Sequence, residues 1–344
     1  MVEYPDSKRP CWLITGGCGF IGTSLIAHLL GEDPDIEIRV LDNLFVGTKE
    51  DLAEVCNFGE VCPSDLIPKS SSASSHRVKL VVGNIKDHQT CLSCCEGVDT
   101  IVHLAANTGV VPSVENPRAD MESNVIGTFN LLEAARIRGV ERFIFASSGA
   151  PIGEAEPPIH EEKAPRPVSP YGASKLAGEG YCSAFYRTFG VKSVSLRFGN
   201  VYGPRTKRKK SVIAKFFKQA LSGESLEIYG DGNQTRDFIY IKDLIEAIML
   251  SAKTEISGEV FQIATYKETT VNEVAQAIKQ LLETETDKKV NIIHASPRPG
   301  DVKRNYSDIS KATSSLGFEP EYDLERGLKA TLAYFLDDLR LLRR

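Results

Sequence analysis

Trp12 to Leu30 reads WLITGGCGFIGTSLIAHLL. The run Trp12–Thr15 predicts a buried strand and Thr23–Leu30 a helix, so the glycines at 16, 19 and 22 fall in the turn between them. Glycine lets such a turn bend sharply and approach a pyrophosphate, which the amides and dipole of the following helix stabilise. Gly16, Gly19, Phe20, Ile21 and Gly22 are therefore candidate cofactor contacts. Asp42 stands twenty residues past Gly22, at the end of a second predicted strand, Ile36–Leu41. A carboxylate there accepts both ribose hydroxyls of an adenosine and repels a 2′-phosphate, so the predicted cofactor is NAD rather than NADP.

Four more β-branched runs follow, Val78–Val82, Thr100–Leu104, Arg142–Ala146 and Ser193–Phe198, with helical patterns near Ala119–Arg138 and Tyr171–Phe189. This alternation predicts an α/β fold, a Rossmann-type doubly wound parallel sheet. In the first of these helices Val125, Phe129, Leu132 and Ala135 recur at three- and four-residue steps, a face for the sheet. After Asn200 come loops with Gly and Pro, a strand-like Val260–Ile263 and a helix Val271–Leu282 started by Thr270 or Asn272. These predict a smaller, mixed α/β C-terminal domain. The expected division is 10–199 for the NAD-binding domain, with 237–263 returning to it, and 200–236 with 264–340 for the second domain. Val55–His76, ending PKSSSASSH, fits no element, and its Ser-rich half (68–76) reads as a surface loop, as does KRKK at Lys207–Lys210.

Composition narrows the class. With 344 residues, 42% hydrophobic and 25% charged, the chain is long enough for one large core or two modest ones. Lys+Arg 41 against Asp+Glu 46 leaves a charge of −5, which offers no global positive field for a nucleic acid. Met1–Pro10 lacks a signal-peptide pattern, and no apolar run reaches the roughly 18 residues that span a bilayer. Eight cysteines in such a chain fit reduced thiols, so the expectation is a cytoplasmic protein without a membrane partner. Cys91, Cys94 and Cys95 cluster near His88, but no second ligand pair matches them. They read as buried small residues on a helix, and no metal is expected.

Ser169-Pro170 opens the helix that carries Tyr171-Gly-Ala-Ser-Lys175, a capping serine with proline in the first turn. Four residues of helix put Tyr171 and Lys175 on one face, where an ammonium favours the phenolate and makes the pair a general base.

Together these motifs resemble the extended short-chain dehydrogenase/reductases, and among them the NAD-dependent epimerase/dehydratase group that acts on nucleotide sugars. The resemblance runs from Pro10 to Leu336. It rests on TGGCGFIG (Thr15–Gly22), Asp42-Asn43, His103-Leu104-Ala105-Ala106, Asn124 in SNVIGT, Ser147-Ser148, YGASK (Tyr171–Lys175), RFGNVYGP (Arg197–Pro204), YGDGNQTRDFIY (Tyr229–Tyr240) and RPGD (Arg298–Asp301). It implies that Asn84-Ile85 meet adenine, that Leu104, Ala105 and Ala106 line the dinucleotide, and that Asn124 belongs to the cofactor set. It further implies Tyr171 as base, Lys175 on the nicotinamide ribose, and Ser148 on the reacting hydroxyl. Asn200, Arg236 and Arg298 would grip the substrate's diphosphate, which a guanidinium fork suits. A homodimer through the helices near Ala119–Arg138 and Tyr171–Phe189, with Gly178 and Gly180 allowing close approach, is implied as well.

Dehydratases of this group carry an acidic pair after the serine or threonine, and decarboxylases a Glu; here Ser148 is followed by Gly149-Ala150-Pro151-Ile152. Without that acid, the expected outcome of C4 oxidation is return of hydrogen to the opposite face, a 4-epimerisation. The sugar nucleotide, most often a UDP-sugar in this group, is left open among hexose, uronate, pentose and N-acetylhexosamine. A nucleotide-sugar dehydrogenase, reductase or dehydratase is the alternative, and a non-catalytic NAD-responsive binder the remote one. Three positions depart from the group's pattern: Pro151-Ile152-Gly153 stands where a Tyr often precedes the glycine, Asn84 replaces Asp, and NTGVVPSVENP after Ala106 has no lysine.

Overall fold

The chain is described by a computed structural model covering residues 9–66, 76–209, 211–286, 288–297 and 302–341, with side chains to 337. Arg298, residues 68–75 of the Ser-rich segment and Lys210 lie outside the described residues. In chain order the first half runs β1 (Cys11–Thr15), α1 (Phe20–Glu32), β2 (Glu37–Asp42), α2 (Lys49–Ala53), β3 (Phe58–Glu60), β4 (Val78–Val82), α3 (His88–Cys94) and β5 (Thr100–His103). Then come α4 (Val110–Glu115), α5 (Pro117–Met121), α6 (Gly127–Arg138), β6 (Arg142–Ser148), α7 (Pro170–Phe189) and β7 (Ser193–Phe198). The remainder comprises β8 (Asn200–Tyr202), α8 (Val212–Leu221), β9 (Leu226–Tyr229), β10 (Thr235–Arg236), β11 (Phe238–Tyr240), α9 (Ile241–Lys253), β12 (Glu259–Ile263), β13 (Thr269–Thr270), α10 (Val271–Glu285), β14 (Ile292–Ala295), α11 (Ser310–Leu316) and α12 (Leu324–Leu341).

Eight strands form one sheet in the order β12-β7-β6-β5-β1-β2-β4-β3. The pairs β1–β2, β1–β5, β2–β4, β3–β4 and β5–β6 are parallel. β1 is buried along its whole length, as a strand covered on both faces requires. Strand order reverses at β1, with β2 on one side and β5 on the other, so a crevice opens beyond the carboxyl ends of β1 and β5. Gly16 and Leu104 come directly after those ends.

Two compact units divide the chain. The first comprises 1–153, 165–197 and 248–260; the second comprises 154–164, 198–247 and 261–344. The stretch 237–263 is thus shared, 237–247 and 261–263 lying with the second unit. In the second unit β8 pairs with β11, β9 with β14 and β10 with β13. Thr270 caps α10 through a capping box with Glu273, which settles the helix start on Thr270 rather than Asn272.

Two expectations are corrected. Val55–His76 is not featureless, because β3 adds an edge strand and Pro63–Leu66 forms a 3₁₀ turn. A three-residue Phe-Gly-Glu strand is too short to show alternation, and only its pairing with β4 makes it a strand. The helix near Ala119–Arg138 is interrupted by a π-turn over Glu122–Ile126. Leu132 and Ala135 are buried as expected, whereas Phe129 is half-buried and stacks edge-on against Tyr181 and Phe185 of α7. Val125 is half-buried too, and the other covered positions of the turn and α6 are Asn124, Gly127, Thr128, Asn130, Leu131 and Ala134.

Candidate active site

The glycine turn is built for close approach. Gly16 has φ +68°, and a Cβ there would lie 2.9 Å from the Ala105 amide nitrogen; a Cβ on Gly22 would lie 2.5 Å from Gly17 Cα. Gly19 begins α1 without a side-chain cap, so the surplus amide donors of a helix start are not met from that position. Asp42 is buried at 7% exposure, and its Oδ2 and Oδ1 accept from the amides of Cys18 (2.9 Å) and Leu44 (2.8 Å). Burial raises its pKa, while those two amides pull it back. Each oxygen retains acceptor capacity. Asn43 is exposed, its Oδ1 accepting from the Phe45 amide. Asn84 holds the turn after β4 by accepting from the Lys86 amide, and Ile85 is buried. Leu104, Ala105 and Ala106 are half-buried beyond β5. These residues fit a dinucleotide: a cradle that no side chain could enter, an uncapped helix start, and a carboxylate at the end of the second strand.

A chain of hydrogen bonds lies beneath this cradle. Thr128 donates its hydroxyl proton to Asn124 O (2.6 Å), so it accepts from His103 Nε2 (2.9 Å). His103 Nδ1 is then an acceptor for the Thr15 hydroxyl (2.8 Å), which itself accepts from the Ala105 amide (3.2 Å). Burial drives His103 down to about 3, with Lys175 acting in the same sense. A His neutral when folded takes up a proton below about pH 6.5 only by unfolding. Stability from this residue is complete above that pH and is lost at about 1.4 kcal/mol per pH unit as pH falls toward the folded value. Thermal unfolding against pH should show this slope, and His103→Asn should flatten it; an equal slope in both proteins would contradict the neutral assignment.

Asn124, set in the π-turn, receives the Asn107 amide on Oδ1 (2.7 Å) and donates Nδ2 to Asn107 O (3.0 Å). Ser169 caps α7 by accepting from the Gly172 amide (3.1 Å), with Pro170 behind it, as the sequence indicates. This starts the helix at Pro170 and sets the phenol of Tyr171 beside Ser148, the last residue of β6. Burial pushes Tyr171 up to about 12, opposed by Ser148. Lys175 is 3% exposed, donates Nζ to Ala146 O (2.8 Å) and lies 5.9 Å from the Tyr171 ring centre. Burial pulls it down to about 8. The ammonium therefore shares a pocket with the phenol, but desolvation rather than their attraction dominates both groups.

In the second unit, Asn200 is exposed at the start of β8 and its amide donates to Asp237 O (2.7 Å), next to Arg236. Arg236 Nη1 donates to Thr235 O and Val302 O, both at 2.7 Å. Cys91, Cys94 and Cys95 are fully buried on and just after α3, where burial pushes their thiols up, away from the thiolate a metal requires. Among the described residues no group of three or more His, Cys, Asp or Glu is arranged for a metal. A Cβ on Gly178 would lie 2.4 Å from the Phe145 ring, so this glycine lets α7 pack closely on β6. Two buried carboxylates near Lys175, Asp120 and Glu179, escaped the sequence reading. Each is one helical turn from a motif residue, Asn124 and Lys175 respectively, which is the signal that points to them.

Fold and cradle together define a nicotinamide-dinucleotide enzyme built on a doubly wound sheet, with a serine, a tyrosine and a buried lysine set close together at the end of β6 and the start of α7. The chain belongs to the NAD dependent epimerase/dehydratase family, whose model matches residues 12–264. It is 37% identical over 335 residues to a putative UDP-glucose 4-epimerase of Methanocaldococcus jannaschii, covering 95% of this chain and 99% of that one. Among solved structures it resembles the UDP-glucose 4-epimerase of Thermotoga maritima with UDP-glucose, at TM-score 0.83 and 34% identity, covering 96% and 99% of the two chains. It also resembles the UDP-N-acetylglucosamine 4-epimerase of Methanobrevibacter ruminantium in complex with UDP-N-acetylmuramic acid, at TM-score 0.83 and 31% identity, over 96% and 100%.

Proposed function

We propose that this chain is an NAD-dependent nucleotide-sugar 4-epimerase whose substrate is a UDP-sugar. One observation carries the reading: Tyr171 lies beside Ser148 with the buried Lys175 Nζ 5.9 Å from its ring centre, and the residues after Ser148 are Gly149, Ala150, Pro151 and Ile152, none of them an acid. A Cβ on Gly149 would meet nothing within 4 Å, which leaves room beside the reacting carbon for a ketose to turn.

Gly16, Gly19, Phe20, Ile21 and Gly22 would hold the pyrophosphate of NAD, Asp42 and Asn43 its adenosine ribose, Asn84 and Ile85 the adenine, and Leu104, Ala105, Ala106, Asn124, Tyr171 and Lys175 the rest. Bound there, NAD supplies the acceptor that takes hydrogen with its electron pair from C4 and returns it. Ser148 orients the C4 hydroxyl by hydrogen bonding, and Tyr171 takes its proton and later gives one back. Lys175 provides the positive charge that makes a phenolate tolerable in a buried pocket. Asn200, Arg236 and Arg298 bind the diphosphate.

The test is to incubate the purified protein, without added NAD, with UDP-hexoses, UDP-N-acetylhexosamines, UDP-glucuronate and UDP-pentoses, following anomeric protons by NMR. Interconversion of one C4 pair at unchanged mass is expected. Turnover only with stoichiometric NAD or NADH, and a product shifted by two hydrogens, would replace the reading with a dehydrogenase or reductase.

The proposal extends to a cytoplasmic homodimer. Met121, Ile126 and Ile137 on one helical stretch and Tyr181 and Phe189 on α7 are exposed apolar side chains. Sedimentation at micromolar concentration should give the mass of two chains; a stable monomer would remove that part of the proposal. Among the described residues no helix is long and apolar enough to cross a membrane.

A further inference from the structure

Asp120 is 1% exposed on α5 and takes no part in the steps above. Its Oδ1 accepts from Asn124 Nδ2 (3.0 Å), and the same Nδ2 reaches Ser174 Oγ (3.1 Å), whose own proton goes to Tyr171 O (3.0 Å). Ser174 immediately precedes Lys175. Three side chains thus tie α5 and the π-turn to the turn of α7 that carries Tyr171 and Lys175.

The groups facing Lys175 differ in what they offer it. Glu179, one turn along α7, is held by Arg197 of β7 through two bonds of 2.8 and 2.7 Å and accepts from Ser147 Oγ (2.5 Å), so its charge is already matched. Arg197 is engaged by that same pair. Cys182 on α7 is kept a thiol by burial, at about 12, and His103 on β5 is neutral. Phe145 of β6 presents only a ring, 4.9 Å away. Tyr171 is neutral until it acts. Asp120 is the one carboxylate in this set that no cationic side chain other than Lys175 offsets.

We propose that Asp120 is a positioning residue of this site: its buried carboxylate is the counter-charge that keeps Lys175 an ammonium next to Tyr171. The proposal rests on the epimerase reading and adds the element that sets its working pH. The electrostatics run the same way. Asp120 is the foremost charge raising Lys175, and it also raises Tyr171. Its own carboxyl is raised by burial, with Ser174 and Lys175 favouring the ionised form. Removing the charge therefore moves both groups in one direction. The ascending limb, where Tyr171 must lose its proton, and the descending limb, where Lys175 must keep its own, both move to lower pH.

Asp120→Asn keeps the volume and an oxygen for Asn124, and tests the idea directly. The kcat/KM profile should shift as a whole by about one pH unit toward acid, which is about a tenfold loss on the alkaline limb. With isotopically labelled lysine, the Lys175 NMR resonance, assigned by its loss in Lys175→Arg, should titrate at correspondingly lower pH. Asp120→Glu should restore the profile, and Asp120→Ser offers a second neutral variant if Asn impairs folding. A reduced profile with unmoved limbs, and an unmoved Lys175 titration, would make Asp120 merely structural and overturn the proposal. The lysine titration needs no sugar, so it stands apart from any failure of the epimerase reading, which the UDP-sugar panel reports.

Discussion

Tyr171→Phe is expected to lower kcat by about 10²–10⁴-fold, the span over which a positioned acid–base group contributes. The substitution removes one oxygen from a side chain that is otherwise unchanged, and the ring still packs in its buried place. Its hydroxyl lies beside Ser148, which keeps the Ala150 amide as a partner at 3.2 Å, so folding should lose no more than about 1 kcal/mol. Substrate affinity should survive as well, because the residues proposed to bind the diphosphate, Asn200, Arg236 and Arg298, are untouched. The expected signature is a fall in kcat with KM and the melting temperature nearly unchanged, measured by NMR of the C4 pair and by calorimetry. Unimpaired conversion would mean that another group is the base.

Arg197→Met should destabilise the protein by about 3–5 kcal/mol, the cost of leaving one charge of a buried pair uncompensated. The two side chains are 4% and 5% exposed, and without Arg197 the Glu179 carboxylate would keep only the Ser147 hydroxyl among its present side-chain partners. Arg197 Nη1 has no hydrogen-bond partner, so the pair already carries an unmet donor. Replacing both members by apolar residues, Arg197→Met with Glu179→Leu, should therefore recover most of the loss, because desolvation then costs nothing. Denaturant midpoints of the two variants make the comparison. A single variant that loses less than about 1 kcal/mol would show that the pair is not held as tightly as its geometry indicates.

The readable parts of this fold share a property: their meaning lies within a few residues. WLIT followed by GGCGFIG announces a strand and a glycine turn because sterics act locally, and Ser169-Pro170 announces a helix start for the same reason. The continuous apolar strands could be read because both faces of a parallel sheet are covered. What resisted reading depended on partners far along the chain. β3 exists through pairing with β4, and β8, β10, β11 and β13 are two or three residues long, below any periodicity. The π-turn around Asn124 left no mark in the three- and four-residue spacing, and Phe129, read as part of the sheet face, makes its ring contacts with α7.

The sequence by itself determined the class of enzyme: a glycine turn, a carboxylate at the end of the second strand, a Tyr and Lys one helical turn apart, and no acid after Ser148. Each is a statement about neighbours in the chain, where backbone geometry alone fixes the spacing. Only the tertiary structure decided the charge balance around Lys175. Asp120 and Glu179 are both carboxylates near motif residues, and nothing local separates them; folding brings Arg197 to one and the Lys175 pocket to the other. Electrostatic pairing in a desolvated interior depends on which groups meet in space, and those meetings join residues 18 to 55 positions apart.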